Sequence, residues 1–358
     1  MNKRISIIVL TYNNFKYYKE CIDSILCQTY SDIEIVISDD GSLDFPRDEI
    51  YNYIYSNMSN NIKKITININ EYNLGIVKNY NKAIKLSEGD YIFYLAIDDV
   101  LYDKNVIKDV VNYFRETGEL IFTGYKDVYN SDLNEYIKTL PRDNEVEILK
   151  KKDVKILYES LCKGSFISGS NTPFSKKLID KYGYLDESYC YLEDYPRYLS
   201  LTKRGCNIGF YDRKLIKYRS GGVTTSGKIS DVLRRDIRRA TIEECSEYFQ
   251  QKWNHQWIID KKLIGWGTGD CYINSTDYIK NNIVYLVDSN KSIQNTKIEG
   301  KLVLSPDVLV KEDINNIFIL IFSYANYFDI ARCLERSGFK EYEHFFICTP
   351  NILEVVKK

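Results

Sequence analysis

The apolar run Tyr91-Ile92-Phe93-Tyr94-Leu95-Ala96-Ile97 stops on two adjacent aspartates, Asp98 and Asp99. The run has the length and the β-favouring side chains of a buried strand. Paired carboxylates have no place inside such a strand, so they mark where it meets solvent. The same construction recurs upstream. Ile5–Leu10 leads into Thr11-Tyr12-Asn13-Asn14, Ile33–Ser38 into Asp39-Asp40-Gly41-Ser42, and Ile65–Ile69 toward Asn73-Leu74-Gly75. Between the runs, Phe15, Tyr18, Ile22, Ile25 and Leu26 recur at helical spacing, as do Val77, Ala83 and Ile84, then Val106, Val110, Val111 and Phe114. Strands alternating with helices predict a mostly parallel α/β sheet with covered faces. Ligands of open α/β sheets bind beyond the carboxyl ends of the strands, and the polar motifs fall there.

The 358 residues suffice for two or three domains with their own cores. With 49 Lys+Arg against 50 Asp+Glu, the near-neutral balance argues against a protein that coats nucleic acid. Nine cysteines are scattered without a CxxC pair or a His–Cys cluster, which argues against zinc and suits a reducing, cytoplasmic setting. The only histidines, His255 and His344, come late. Chemistry in the first 250 or so residues therefore rests on carboxylates, hydroxyls, lysine or arginine. Lys3-Arg4 before Ile5–Leu10 looks like the start of a leader. The apolar part is too short to span a bilayer and is read as a first core strand.

Three regions are expected: 1–225 as a first α/β domain, 226–260 as a charged helical connector, and 261–358 as a smaller α/β domain. From Asp143 to Ser220 the pattern is mixed and loop-rich. The connector groups Arg234, Arg235, Arg238 and Arg239 with Asp236, Glu243 and Glu244. It reads as a solvated helix face, with peripheral contact to an anionic membrane as the alternative.

Asp98 and Asp99 at a strand end can hold a divalent cation through oxygen ligands, and that cation could clamp a diphosphate. A strand-end carboxylate such as Asp39 or Asp40 can accept the imide N–H of a uracil or thymine, and Gly41 lets the backbone turn beside a base. Asp-Gly is equally an ordinary turn signal.

The ordered series of Thr11-Tyr12-Asn13-Asn14, Asp39-Asp40-Gly41-Ser42, Asn73-Leu74-Gly75 and Asp98-Asp99 resembles the family 2 glycosyltransferases of the GT-A fold, over residues 4–222. The resemblance implies a GT-A nucleotide-diphospho-sugar transferase domain. It also implies donor-binding roles for Thr11, Tyr12, Asn13, Asp39, Asp40, Lys78, Asp98 and Arg219. Asp98 and Asp99 would hold Mn2+ or Mg2+. Ala96 stands where the family's D-x-D motif has its first acid, leaving one or two carboxylates for the ion. Magnesium is commonly held in that way, with substrate phosphates and waters.

Gly183-Tyr184-Leu185-Asp186-Glu187 followed by Leu192-Glu193-Asp194-Tyr195-Pro196 is similar to the family's G-x-x-D-E … E-D stretch, and implies Asp194 as the base. Asp194 also reads as a helix N-cap with Pro196 in the first turn, and both readings can hold together. Gly169, Ser170 and Glu193 would lie on the acceptor side. Arg219, in Tyr218-Arg219-Ser220-Gly221-Gly222, would pair with phosphate oxygens or else be a surface arginine.

The implied activity is inverting transfer of a sugar from a UDP- or dTDP-sugar to a glycan or lipid-linked acceptor, in capsule or O-antigen type polysaccharide assembly, with no nucleic-acid partner. A non-catalytic nucleotide-sugar binding protein is the alternative. A nucleotidyltransferase would place a glycine-rich loop after its first strand, and Thr11-Tyr12-Asn13-Asn14 has no glycine.

Near the end, Leu263-Ile264-Gly265-Trp266-Gly267-Thr268-Gly269, with Asp288 closing the next strand, resembles a small Rossmann-like module. Gly267, Gly269 and Asp288 are its candidate nucleotide contacts, although Tyr272 occupies the place of the third glycine.

Overall fold

The computed structural model describes residues 3–221 and 230–356. The chain divides into two compact units, one of residues 1–157 and 166–237, the other of 158–165 and 238–358.

In the first unit, β1 (Ile5–Thr11), β2 (Ile33–Asp39), β3 (Ile62–Ile69) and β4 (Tyr91–Ala96) are parallel. They stand in the order β3-β2-β1-β4, and a short antiparallel strand at Phe174–Ser175 closes the β4 edge. β1 and β2 are buried along their whole length, as expected of strands covered on both faces. Alternation divides their side chains between those faces. Ile5, Ile7, Val9, Ile33, Ile35, Ile37, Phe93 and Leu95 join one core with α1 (Tyr18–Leu26), α2 (Arg47–Asn57) and α4 (Val106–Thr117). α3 (Ile76–Leu86) packs on β1 and β2 and buries Val77, Tyr80, Ala83 and Ile84. Burying each isoleucine of this core contributes about 1.5–3 kcal/mol.

A second sheet joins β5 (Val100–Leu101), β6 (Phe122–Tyr129), β7 (Tyr136–Leu140) and an eleven-residue strand, Gly209–Arg219, in the order β5–[209–219]–β6–β7. The stretch expected to be loop-rich carries helices at Asp143–Lys150, Val154–Lys163, Lys176–Tyr182 and Tyr195–Lys203, besides the whole of that long strand. Its burial is irregular, so no clean period shows in the sequence. α2 also lacked a readable signature. Only Ile50 and Ile54 are fully buried, Tyr53 packs half-buried beside them, and Tyr51 and Tyr55 blur the helical spacing.

The second unit holds a six-stranded sheet. Strands Lys262–Trp266, Ile283–Val287, Lys301–Leu304, Ile317–Ile321 and Phe345–Ile347 run parallel, and Lys297–Ile298 pairs antiparallel at one edge. Trp257 stacks on Phe318 with ring centroids 4.4 Å apart. The connector contributes helices Asp231–Glu244, Ser246–Lys252 and Gln256–Asp260, and residues 226–229 lie outside the described residues. Among the described residues, no helix is long and apolar enough to cross a membrane.

The turn after β2 depends on Gly41, at φ +76°, where a Cβ would lie 2.4 Å from the backbone carbon of Tyr72. Gly41→Ala is expected to destabilise the first unit by about 1–3 kcal/mol, through strain and the displaced Tyr72 backbone. Urea unfolding of the two proteins measures the difference.

Candidate active site

The loops after β1, β2 and β3 are tied to each other before any ligand arrives. Thr11 and Asp39 are register partners, so the polar residues begin at one level. The Asp40 amide donates to the Thr11 carbonyl at 3.0 Å. The Asn13 amide donates to Ser42 Oγ at 2.7 Å, and the Leu43 amide to Asn13 Oδ1 at 3.1 Å. Asp39 is fully buried and accepts the Ser42 amide at 2.8 Å. Asp40 Oδ1 accepts the Leu74 amide at 2.9 Å and Asn70 Nδ2 at 3.0 Å, while Oδ2 accepts the Gly75 amide at 2.9 Å. Each carboxylate thus builds the loops that would surround a base. Beside them Tyr12 exposes 48% of its surface, and Lys78 is exposed on the first turn of α3.

Asp98 and Asp99 follow β4 in a tight turn, with the Asp99 amide donating to the Ala96 carbonyl at 3.0 Å. Asp98 is half-buried and accepts from Asn14 Nδ2 at 3.2 Å, which brings the β1 and β4 loops together. Asp99 is 1% exposed; its Oδ1 accepts the Arg219 amide at 2.9 Å, and its Oδ2 has no hydrogen-bond partner. Burial first, then the neighbouring Asp98 charge, pushes Asp99 up to about 8. An orphaned, buried carboxylate oxygen beside a second carboxylate fits a cation. Among the described residues, however, no group of three or more His, Cys, Asp or Glu side chains could hold a metal ion. The pair fits an ion completed by phosphate oxygens of a ligand.

Arg219 is not the surface arginine of the second expectation. It is 4% exposed, and its three guanidinium nitrogens donate to the Asp98 carbonyl, the Ser131 carbonyl and Glu20, with the group lying over the Tyr17 ring. It braces the Asp98-Asp99 turn, and binding a phosphate would require it to release those partners. Gly222, at the end of its motif, lies outside the described residues.

Across the site, Asp194 caps the helix Tyr195–Lys203, its Oδ1 accepting the Tyr195 amide at 2.6 Å. Its Oδ2 accepts the Gly169 amide at 3.2 Å. Burial raises the Asp194 carboxyl, and the amides of Tyr195 and Gly169 oppose that rise. Glu193 is pushed up to about 8, by burial and then by the Asp194 charge. Gly169 faces this pair so closely that a Cβ there would stand 3.1 Å from Glu193 Oε1. Ser170 is 6% exposed, with its hydroxyl 3.3 Å from that of Ser168. A cavity behind the pair is lined by Tyr80, Gly169, Thr172, Glu193, Asp194 and Tyr198.

Several positioning residues carry no motif. Asn81, on α3 and 1% exposed, donates to the Leu185 carbonyl at 2.8 Å and to Glu187 Oε1 at 3.0 Å. Asp236 accepts the amides of Cys190 and Tyr191 at 2.9 and 2.8 Å, just before Glu193. Lys126, on β6 and 8% exposed, donates to Ser168 Oγ at 2.7 Å. A lone lysine within a strand, or an asparagine within a helix, gives no signal in a single sequence.

In the second unit, Gly267 turns at φ +103° and Thr268 Oγ1 donates to Asp288 Oδ2 at 3.0 Å. Gly269 precedes a helix of only four residues, Asp270–Ile273, and Tyr272 is fully buried against Phe322. The turn therefore lacks the long helix N-terminus that a pyrophosphate would use.

Comparison with known proteins accords with this geometry. Residues 6–183 match the family model described as Glycosyl transferase family 2, and residues 259–345 match that of C2185-like, N-terminal. An uncharacterized glycosyltransferase of Haemophilus influenzae is 25% identical over 253 residues, 69% of this chain and 75% of that protein. One from Rickettsia felis is 30% identical over 231 residues, 63% of this chain but only 36% of that longer protein. The Escherichia coli protein named UDP-Glc:alpha-D-GlcNAc-diphosphoundecaprenol beta-1,3-glucosyltransferase WfaP is 27% identical, over 64% of this chain and 83% of its own. Residues 1–349 of S. aureus TarS, solved in complex with UDP-GlcNAc, share the fold with a TM-score of 0.50 at 19% identity, over 72% of this chain and 79% of theirs. Residues 6–183, just under half of the chain, thus resemble a glycosyl transferase family 2 domain, and the chain is similar in fold to TarS.

Proposed function

We propose that the first unit transfers a sugar from a nucleotide-diphosphate donor to a hydroxyl of a glycan or lipid-linked acceptor, with inversion, and that Asp194 is the base. The observation that carries this reading is that two acidic pairs flank Tyr94: its strand leads to Asp98-Asp99, and Gly169, whose amide holds Asp194, lies so close that a Cβ there would stand 3.6 Å from the Tyr94 ring. Asp98-Asp99 ends the strand where a diphosphate would lie, and Glu193-Asp194 stands beside Gly169, whose missing side chain leaves room against the carboxylates. The UDP-GlcNAc bound by TarS and the UDP-Glc in the name of the E. coli relative support a UDP-sugar, and the diphosphoundecaprenol in that name supports a lipid-linked acceptor at the cytoplasmic face of a membrane, within surface polysaccharide assembly.

In this reading the β1 and β2 loops seat the base and ribose, and Tyr12 and Lys78 lie at the open side. Asp194, held by two amides, takes the proton from the acceptor hydroxyl as it attacks. Attack on the face opposite the leaving diphosphate inverts the anomeric centre. Burial pushes Glu193 up to about 8, while two amides oppose the rise at Asp194, which favours Asp194 as the ionised member of the pair, the division of roles that two environments impose on neighbouring carboxyls. Mn2+ or Mg2+ held by Asp98 and Asp99 with the donor phosphates would supply Lewis-acid neutralisation of the leaving group. The second unit is proposed as an accessory Rossmann-like module.

Asp194→Asn keeps an oxygen for the helix cap and removes the base. Transfer is expected to fall by about 10²–10⁴-fold with the melting temperature nearly unchanged. Wild-type rates in the variant would remove Asp194 from this role. EDTA should abolish transfer and Mn2+ or Mg2+ restore it, as followed by release of the nucleoside diphosphate. Full activity in EDTA would exclude the ion.

A further inference from the structure

β4 brings one polar side chain into the site that neither acidic pair accounts for. Phe93 and Leu95 join the core formed with α1, α2 and α4. Tyr94 and Ala96 alternate with them, so they face the other side of the sheet, and both are half-buried. Ile92, the remaining β4 residue on that side, is fully buried. Tyr94 is thus the one polar side chain that β4 presents there. Its ring packs on Tyr80 from α3, with centroids 5.0 Å apart. A Cβ on Gly169 would stand 3.6 Å from Cδ1 of Tyr94 and 3.1 Å from Glu193 Oε1. The ring therefore lies against the residue whose amide holds Asp194 Oδ2 at 3.2 Å. In the other direction the strand runs on through Ala96 to Asp98-Asp99. Ala96 ends in a methyl, so no long side chain of β4 separates Tyr94 from that turn.

The Tyr94 hydroxyl has no hydrogen-bond partner among the described residues, and it is not sealed from solvent. Burial, then the Glu193 charge, holds the phenol well above its usual range, so it stays protonated and able to donate. A tyrosine hydroxyl in such a place takes water or a ligand as its partner. The proposed displacement fixes which part of the ligand lies there. The anomeric carbon stands between the attacking hydroxyl at Asp194 and the departing diphosphate at Asp98-Asp99. Tyr94 is flanked by both ends of that line, so it faces the sugar in between.

We propose that the Tyr94 hydroxyl donates a hydrogen bond to a hydroxyl of the sugar being transferred, and that this contact helps to select the sugar. The proposal rests on the reading of the first unit as a sugar transferase. A donor whose sugar lacks or inverts the contacted hydroxyl leaves the phenol unpaired, and the site rejects it accordingly.

Tyr94→Phe keeps the ring against Tyr80 and Gly169 and removes the hydroxyl alone. Its melting temperature should match that of the wild type. Calorimetric titration with UDP, UDP-Glc and UDP-GlcNAc, each with Mn2+ and without acceptor, reads the contact. The variant should bind UDP as the wild type does and bind the UDP-sugar about three- to tenfold more weakly. Wild-type affinity for both UDP-sugars overturns the proposal, and a loss confined to the KM of the acceptor would move the hydroxyl to the acceptor instead. Equal weakening of UDP and UDP-sugar, or a lowered melting temperature, also overturns it, because either marks a packing role. Failure of the wild-type protein to bind any of the three refutes the UDP-sugar reading, and this proposal falls with it. Wild-type binding with an unaffected variant refutes the role of Tyr94 alone.

Discussion

The site hangs on the carboxylate of Asp40. It sits at the end of β2, 4% exposed, and accepts from the amides of Leu74 and Gly75 and from Asn70. Hydrogen bonds to an ionised acceptor are among the stronger polar contacts available to a protein. These three fix the loop that opens α3, and α3 in turn carries Asn79 and Asn81. Asn79 returns to β2 through Ser38, and Asn81 reaches across to Leu185 and Glu187. The strand end proposed to shape the donor side and the segment that leads to Glu193 and Asp194 are thus joined through one helix.

A second brace comes from Arg219, which closes the Asp98-Asp99 turn from the end of its long strand. The acids gathered by these braces are poorly solvated, and their environments divide them. Asp194 receives two amides and Glu193 and Asp99 are pushed up to about 8. Separation of this kind gives one carboxyl the role of base while its neighbour stays neutral. Of the nearby cations, Arg219 is committed to the Asp98-Asp99 turn, and Arg197 shares the cavity behind Glu193 and Asp194. A diphosphate with its cation would complete a site whose own side chains leave Asp99 Oδ2 without a partner.

The sequence was readable where burial is regular. β1 and β2 are buried along their whole length and β4 is apolar, and their ends agree with the runs within a residue. β3 begins at Ile62, earlier than the apolar run suggests, because Lys63 and Lys64 are strand residues that reach solvent. α2 and the strand Gly209–Arg219 escaped notice because aromatic and charged residues hide their periods. At the site, motif order placed Asp39, Asp40, Asp98, Asp99 and Asp194 around one sheet edge. It did not show that Asp40 is tied to Gly75, that Arg219 is a brace, or that Tyr94 lies against Gly169. Those facts depend on partners far apart in the chain, which a linear pattern does not encode.

The account centres on a single displacement carried out by an ionised carboxylate on the face opposite the leaving group. The most direct measurement is the configuration of the glycoside formed from an α-linked UDP-sugar, read from the anomeric proton coupling by NMR. The account predicts a β-linked product. An α-linked product would contradict it, because retention requires a different face of attack from the one Asp194 is placed to serve.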